Sequence, residues 1–81
     1  MHIIIYTKTN CGWAEDVKDF LRTQNIPFDE RNIFQNPAYE KEVLEKTGQS
    51  KSPTLDIDGH LLPDSDVDQV KAYLTERGVL Q

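Results

Sequence analysis

The sequence has few of the residues that staple, anchor or metallate a chain. It carries one cysteine, Cys11, so an internal disulfide is impossible and a cross-linked secreted scaffold is excluded. Soft or borderline metal ligands are limited to Cys11, His2 and His60, scattered along the chain, which excludes a structural zinc site. No apolar run exceeds the four residues Ile3-Ile4-Ile5-Tyr6, far short of the roughly 18 that a membrane span requires. That run has no charged segment before it and no small-residue cleavage site after it. Basic residues are also scarce: 9 Lys and Arg stand against 14 Asp and Glu, a net charge of -5. Phosphate binding needs clustered Lys and Arg, so neither nucleic acid nor membrane is an expected partner. Glycine-rich phosphate loops, Gly-x-Ser-x-Gly turns and His-Glu-x-x-His pairs are missing too. The expectation is a soluble, cytoplasmic, monomeric protein whose chemistry, if it has any, centres on Cys11.

What is present suffices for a fold. Residues 1–81 are expected to form a single domain, burying roughly 60% of the surface that the unfolded chain exposes. Leu, Ile, Val and Phe make up 21 of the 81 residues, above the roughly one in five below which chains stay disordered. His2 to Tyr6, stopped by the polar Thr7-Lys8-Thr9-Asn10, reads as a strand covered on both faces. A helical period then begins at Gly12, with Trp13, Val17, Phe20 and Leu21 on one face of a helix running to about Gln24.

Pro27 leads into a second strand, Phe28 to Ile33. Asn36-Pro37 is a helix start, with Tyr39, Val43 and Leu44 as its apolar stripe and Lys46 and Gly48 at its end. Thr54 to Ile57 alternates as a half-buried strand, Asp58-Gly59 is a two-residue hairpin turn and His60 to Leu62 returns. Ser65-Asp66-Val67-Asp68 caps a last helix that buries Val67, Val70 and Leu74 and stops at Arg77-Gly78. The order β-α-β-α-β-β-α makes the first two strands parallel through a right-handed crossover and the last two antiparallel. This is an α/β fold, a four-stranded mixed sheet with helices on both faces.

Cys11 lies where the first strand hands over to the first helix, outside the carboxyl end of a central strand. A thiol there faces unpaired N–H groups and the positive end of the helix dipole, which favour the thiolate. Lys8 adds a cation three residues upstream, and Gly12 leaves the backbone beside the sulfur accessible. Glu15 and Asp16, in or just after the first turn, work against this by adding negative charge. The other reading, a small cysteine packed as a hydrophobe, suits a junction flanked by Asn10 and Gly12 poorly.

Over about His2 to Arg77 the chain resembles a glutaredoxin, the short form of the thioredoxin fold. The likeness is carried by Tyr6-Thr7-Lys8-Thr9-Asn10-Cys11-Gly12-Trp13-Ala14, by Lys51-Ser52-Pro53-Thr54, and by Asp58-Gly59 followed by Leu62 to Asp66. The resemblance implies that Cys11 is the nucleophile toward mixed disulfides with glutathione, and that Pro53 is cis and sits against it. It further implies that Ser52 presents its backbone to bound glutathione, that Lys8 pairs with the glycine carboxylate and that Trp13 stands beside the site. Ser65 and Asp66 would receive the γ-glutamyl end at a helix N-terminus, which attracts a carboxylate.

Four residues depart from the pattern. Ala14 stands where a dithiol glutaredoxin has its second cysteine, so a mixed disulfide must be resolved by an external thiol. Pro63-Asp64 replaces the usual Gly-Gly, removing a donor and adding negative charge, and Val67 replaces an acidic residue. The reading is a monothiol disulfide oxidoreductase with glutathione or another small thiol as co-substrate and no bound cofactor. Its partners would be glutathionylated or disulfide-bonded proteins. Cys11-Gly12-Trp13-Ala14 also resembles the Cys-Gly-Phe-Ser of monothiol members, which implies as an alternative a [2Fe–2S] carrier using Cys11 and glutathione in a dimer. Asp64 and Val67 point to another, a non-redox interaction module that keeps the fold.

Overall fold

The central feature is β1 (Ile3–Thr7), five apolar or β-branched residues that are all buried. Because successive strand side chains point to opposite faces, β1 seeds two cores. Ile3 and Ile5 enter the larger one with Val17, Leu21, Leu55, Ile57, Val70 and Leu74. Ile4 and Tyr6 enter the smaller one with Ile33 and Val43. The computed structural model describes residues 1–80. Around β1 stand α1 (Gly12–Thr23), β2 (Asp29–Asn32), α2 (Pro37–Thr47), β3 (Thr54–Ile57), β4 (His60–Leu62) and α3 (Val67–Glu76). The sheet order is β2-β1-β3-β4. β2 runs parallel to β1 in the register Ile5↔Glu30, and β3 antiparallel in the register Ile5↔Leu55. β4 pairs antiparallel with β3, Leu55 opposite Leu62. The expected α/β fold and strand directions are therefore observed; the ends of β1 and β2 are displaced by a residue, and β3 and β4 have the expected bounds.

Three local expectations are corrected. Trp13 is not on the buried face of α1; it is 54% exposed, and the stripe is Ala14, Val17, Lys18 and Leu21. That set follows i, i+3, i+4, i+7, and Trp13 lies one residue, about 100°, round the helix from Ala14. Leu44 is also exposed, since α2 turns only Val43 fully into the core, with Tyr39 packed beside it. Lastly, the cap of α3 is Asp66, not Ser65. Asp66 Oδ1 accepts from the Gln69 N–H at 2.9 Å, and Gln69 Oε1 accepts from the Asp66 N–H at 3.0 Å. Gln69 supplies a reciprocal partner at the third helical position; Ser65 lies a residue too early and is buried.

The Asp58-Gly59 turn forms as expected, with φ of 51° and 89° at the two central residues. Both lie in the left-handed region that a two-residue hairpin of this type demands. Asp58 also anchors its surroundings: its Oδ1 accepts from the His2 N–H at 2.7 Å and its Oδ2 pairs with Arg77 at 3.2 Å.

The smaller core is ringed by charge. The Tyr6 hydroxyl donates to Glu42 at 2.8 Å and accepts from Lys46 Nζ at 2.7 Å. Lys46 also pairs with Asp56 at 2.7 Å, and Arg31 pairs with Glu42. This chain of bonds attaches α2 to β1, β2 and β3, supplementing the single fully buried apolar side chain of the helix. Tyr6→Phe leaves Lys46 and Glu42 each short of a partner, so urea unfolding should show a loss of about 1–3 kcal/mol. Burial by itself would raise the Asp56 and Glu42 carboxyls. The bonds from Lys46 to Asp56, and from Tyr6 and Arg31 to Glu42, outweigh it and hold both below the ordinary carboxylate range. Groups depressed in the folded state contribute stability above their unfolded values, and that contribution disappears as pH falls through the folded ones. Thermal melts should accordingly hold level near neutrality and drop on acidification below about pH 4.

Candidate functional site

The loop leaving β1 turns at Asn10, whose φ of 63° is left-handed, a conformation that asparagine adopts more readily than most residues. The turn delivers Cys11 as the N-cap of α1, with extended backbone and no side-chain cap bond. Its N–H donates to the Lys8 carbonyl at 3.2 Å, and its own carbonyl accepts from Glu15 at 3.1 Å. The sulfur is thus held at the helix N-terminus, partly exposed, while the backbone around it is bonded. A Cβ added at Gly12 would meet nothing within 4 Å, so the position next to Cys11 faces open space.

Two further segments close on this loop. The Ser52–Pro53 peptide bond is cis, and the Ser52 carbonyl accepts from Cys11 Sγ at 3.5 Å. Ser52 Oγ in turn accepts from the Lys8 N–H at 3.0 Å. The Pro53 carbonyl accepts from the Ser65 N–H at 3.0 Å, drawing the start of α3 into the same group. Cys11, Lys8, Ser52, Pro53 and Ser65, spread over 58 residues of sequence, are therefore linked by four hydrogen bonds.

Two clefts flank the sulfur-bearing end of α1. One is lined by Trp13, Asp16, Asp66, Val67 and Asp68, so the indole and the α3 N-terminus face each other there. The other is polar, with Lys8, Asn10, Glu15, Lys18, Glu30 and Tyr39 among its walls. Lys8 Nζ lies 5.8 Å from the centre of the exposed Phe34 ring, within cation–π range. At α3 the expected anion-receiving donors are already engaged, Ser65 N–H by Pro53 and Asp66 N–H by Gln69. Among the described residues no group of three or more His, Cys, Asp or Glu could hold a metal ion; Cys11 is the one thiol that the chain could offer to one.

The sequence reading passed over Lys18. It is buried on the inner face of α1 and bonded to Glu15 and Glu30. A lysine within an otherwise apolar stripe, directly after Val17, was the available signal.

The glutaredoxin family model matches residues 3–62. The chain belongs to the glutaredoxin family. Its members are thiol–disulfide redox proteins, and the match spans β1 to β4, with Cys11 and Pro53 inside it and α3 beyond it. A glutaredoxin-like 8.6 kDa protein of a rubredoxin operon in Clostridium pasteurianum is 30% identical over 60 residues, 74% of this chain and 80% of that one. Among solved structures, the thioredoxin-like protein BC3987 superposes with a TM-score of 0.80 at 24% identity, covering 86% of this chain and 96% of its own. The buckwheat glutaredoxin–glutathione complex superposes at 0.71 and 23% identity, covering 96% and 71%. These two likenesses are of fold.

The corrected cap and the exposed indole can be checked by chemical denaturation. Asp66→Ala should destabilise by about 1 kcal/mol through loss of the cap. Trp13→Ala, at a half-exposed position, should cost less than about 0.5 kcal/mol.

Proposed function

We propose that this glutaredoxin-family protein is a monothiol disulfide oxidoreductase working through Cys11, with glutathione or another small thiol as co-substrate. The observation that carries the reading is the placement of the only thiol in the chain: partly exposed, at the N-terminus of α1, against Ser52 and the cis Pro53. In the first step the Cys11 thiolate attacks the glutathionyl sulfur of a mixed disulfide. The original S–S bond breaks, the substrate leaves as a thiolate that takes a proton from water, and Cys11 is glutathionylated. A second glutathione thiolate then attacks that sulfur, glutathione disulfide departs and the Cys11 thiolate returns. The nucleophilicity of each thiolate and the leaving ability of its partner set the rates. Position 14 is a buried alanine, so resolution falls to the external thiol.

On this reading Lys8 pairs with the glycine carboxylate of the tripeptide, Ser52 presents its backbone to the cysteine part beside Pro53, Trp13 stands beside the site, and Ser65 and Asp66 border the γ-glutamyl end. A lone working thiol belongs in a reducing compartment, and the cytoplasm is the proposed location. Reduction of a glutathionylated peptide by glutathione, coupled to reduction of glutathione disulfide, tests the reading. Wild type should turn over, and Cys11→Ser should fall to the uncatalysed rate. Turnover that survives in Cys11→Ser, or no turnover in either protein, rules the mechanism out.

A further inference from the structure

Lys18 has no part in the mechanism above, yet it is the only buried charged residue among those described, its side chain 9% exposed. It follows Cys11 by seven residues and Glu15 by three, so the three lie along one side of α1. Its ammonium sits 2.8 Å from Glu15 Oε1 and 3.0 Å from Glu30 Oε2. Glu30 Oε2 also accepts from the Thr7 hydroxyl at 2.8 Å, and Arg22 adds positive charge toward that carboxylate. Burial by itself would favour the neutral amine; the two carboxylates outweigh it and hold the Lys18 pKa above the ordinary lysine value. An apolar side chain of similar length would fill the same slot without desolvating a charge. Packing alone therefore does not account for a cation here.

The geometry offers another reason. Helical side chains lean toward the N-terminus, and Glu15 stands one turn after Cys11, its N–H bonded to the Cys11 carbonyl. Without a partner its carboxylate would lean toward the end of α1 that carries the sulfur. The bond to Lys18 draws it the other way. We propose that Lys18 is a positioning residue for Cys11: by holding the Glu15 carboxylate against Glu30, it keeps the negative charge of the first helical turn away from the sulfur and from any anionic group approaching it. The proposal rests on Cys11 being the reacting thiol. Lys8, on the loop side of the same cleft, is then the charged side chain nearest in sequence before the sulfur, and its charge is not offset by Glu15. Through Glu30 and Thr7, the ammonium is also linked to β2 and to the end of β1 from which the Cys11 loop departs.

The test compares alkylation of Cys11 by iodoacetate, an anion, with alkylation by neutral iodoacetamide at one pH and ionic strength. Lys18→Met should lower the iodoacetate rate about threefold relative to iodoacetamide, the effect of one released negative charge near the sulfur. Lys18→Arg should keep the wild-type ratio, and Glu15→Gln added to Lys18→Met should restore it. A role in packing alone would alter both rates together, with no rescue by Glu15→Gln. A wild-type ratio in folded Lys18→Met, or a changed ratio that Glu15→Gln leaves in place, overturns the proposal. Should Lys18→Met fail to fold, Glu15→Gln alone decides. A ratio within about 1.5-fold of wild type supports the shielding, and a shift of about threefold toward iodoacetate overturns it. Alkylation requires no turnover, so a wild-type protein inactive toward glutathionylated peptide would defeat the oxidoreductase reading and leave this comparison valid.

Discussion

Burial of β1 on both faces is the constraint from which the rest of the molecule follows. A central strand with apolar side chains on alternate faces must be covered twice. In this chain one face receives α1 and α3, and the other receives α2. Its hydrogen-bonding edges are satisfied by β2 on one side and β3 on the other. Once both faces and both edges are occupied, the only free direction is onward from Thr7, into the loop that presents Cys11. The loop that carries Cys11 is thus rooted in a strand that is buried throughout.

The two cores are stabilised differently. The α1/α3 side is a broad apolar cluster, whereas the α2 side has few buried side chains and depends on Tyr6, Glu42, Arg31, Lys46 and Asp56. A domain of this size has limited apolar surface to bury, and partly buried ion pairs bonded to a tyrosine hydroxyl supply definition as much as stability. Polar networks of this kind fix how α2 sits on the sheet.

Around the sulfur, charge is arranged unevenly. Lys8 and Lys18 stand on the polar side of the Cys11 loop, and Glu15 and Glu30 are engaged there. Beyond Trp13 the facing walls carry Asp16, Asp66 and Asp68. The capping box of α3 takes up donors that an incoming carboxylate could otherwise use. Membership of the glutaredoxin family is carried by the stretch from β1 to β4, which includes Asp16 on α1, while Asp66 and Asp68 at the start of α3 lie beyond it.

The sequence alone determined the order of elements, the parallel β1–β2 and antiparallel β3–β4 relations, the Asp58-Gly59 turn and the position of Cys11 at a strand-to-helix junction. Each follows from local periodicity, from turn chemistry, or from the handedness of a crossover, and these need only neighbours in the chain. Tertiary structure decided which side of a helix is buried and which donors remain free. Trp13 reads as part of an apolar stripe until the sheet selects Ala14, Val17 and Leu21; Ser65 reads as a cap until Asp66 finds Gln69 and the Ser65 N–H finds Pro53. Lys18 goes unremarked until Glu30, twelve residues on and in β2, comes within 3.0 Å of its ammonium. A charge can be buried only where its partners are already in place, and no spacing along a single helix encodes a partner on another element.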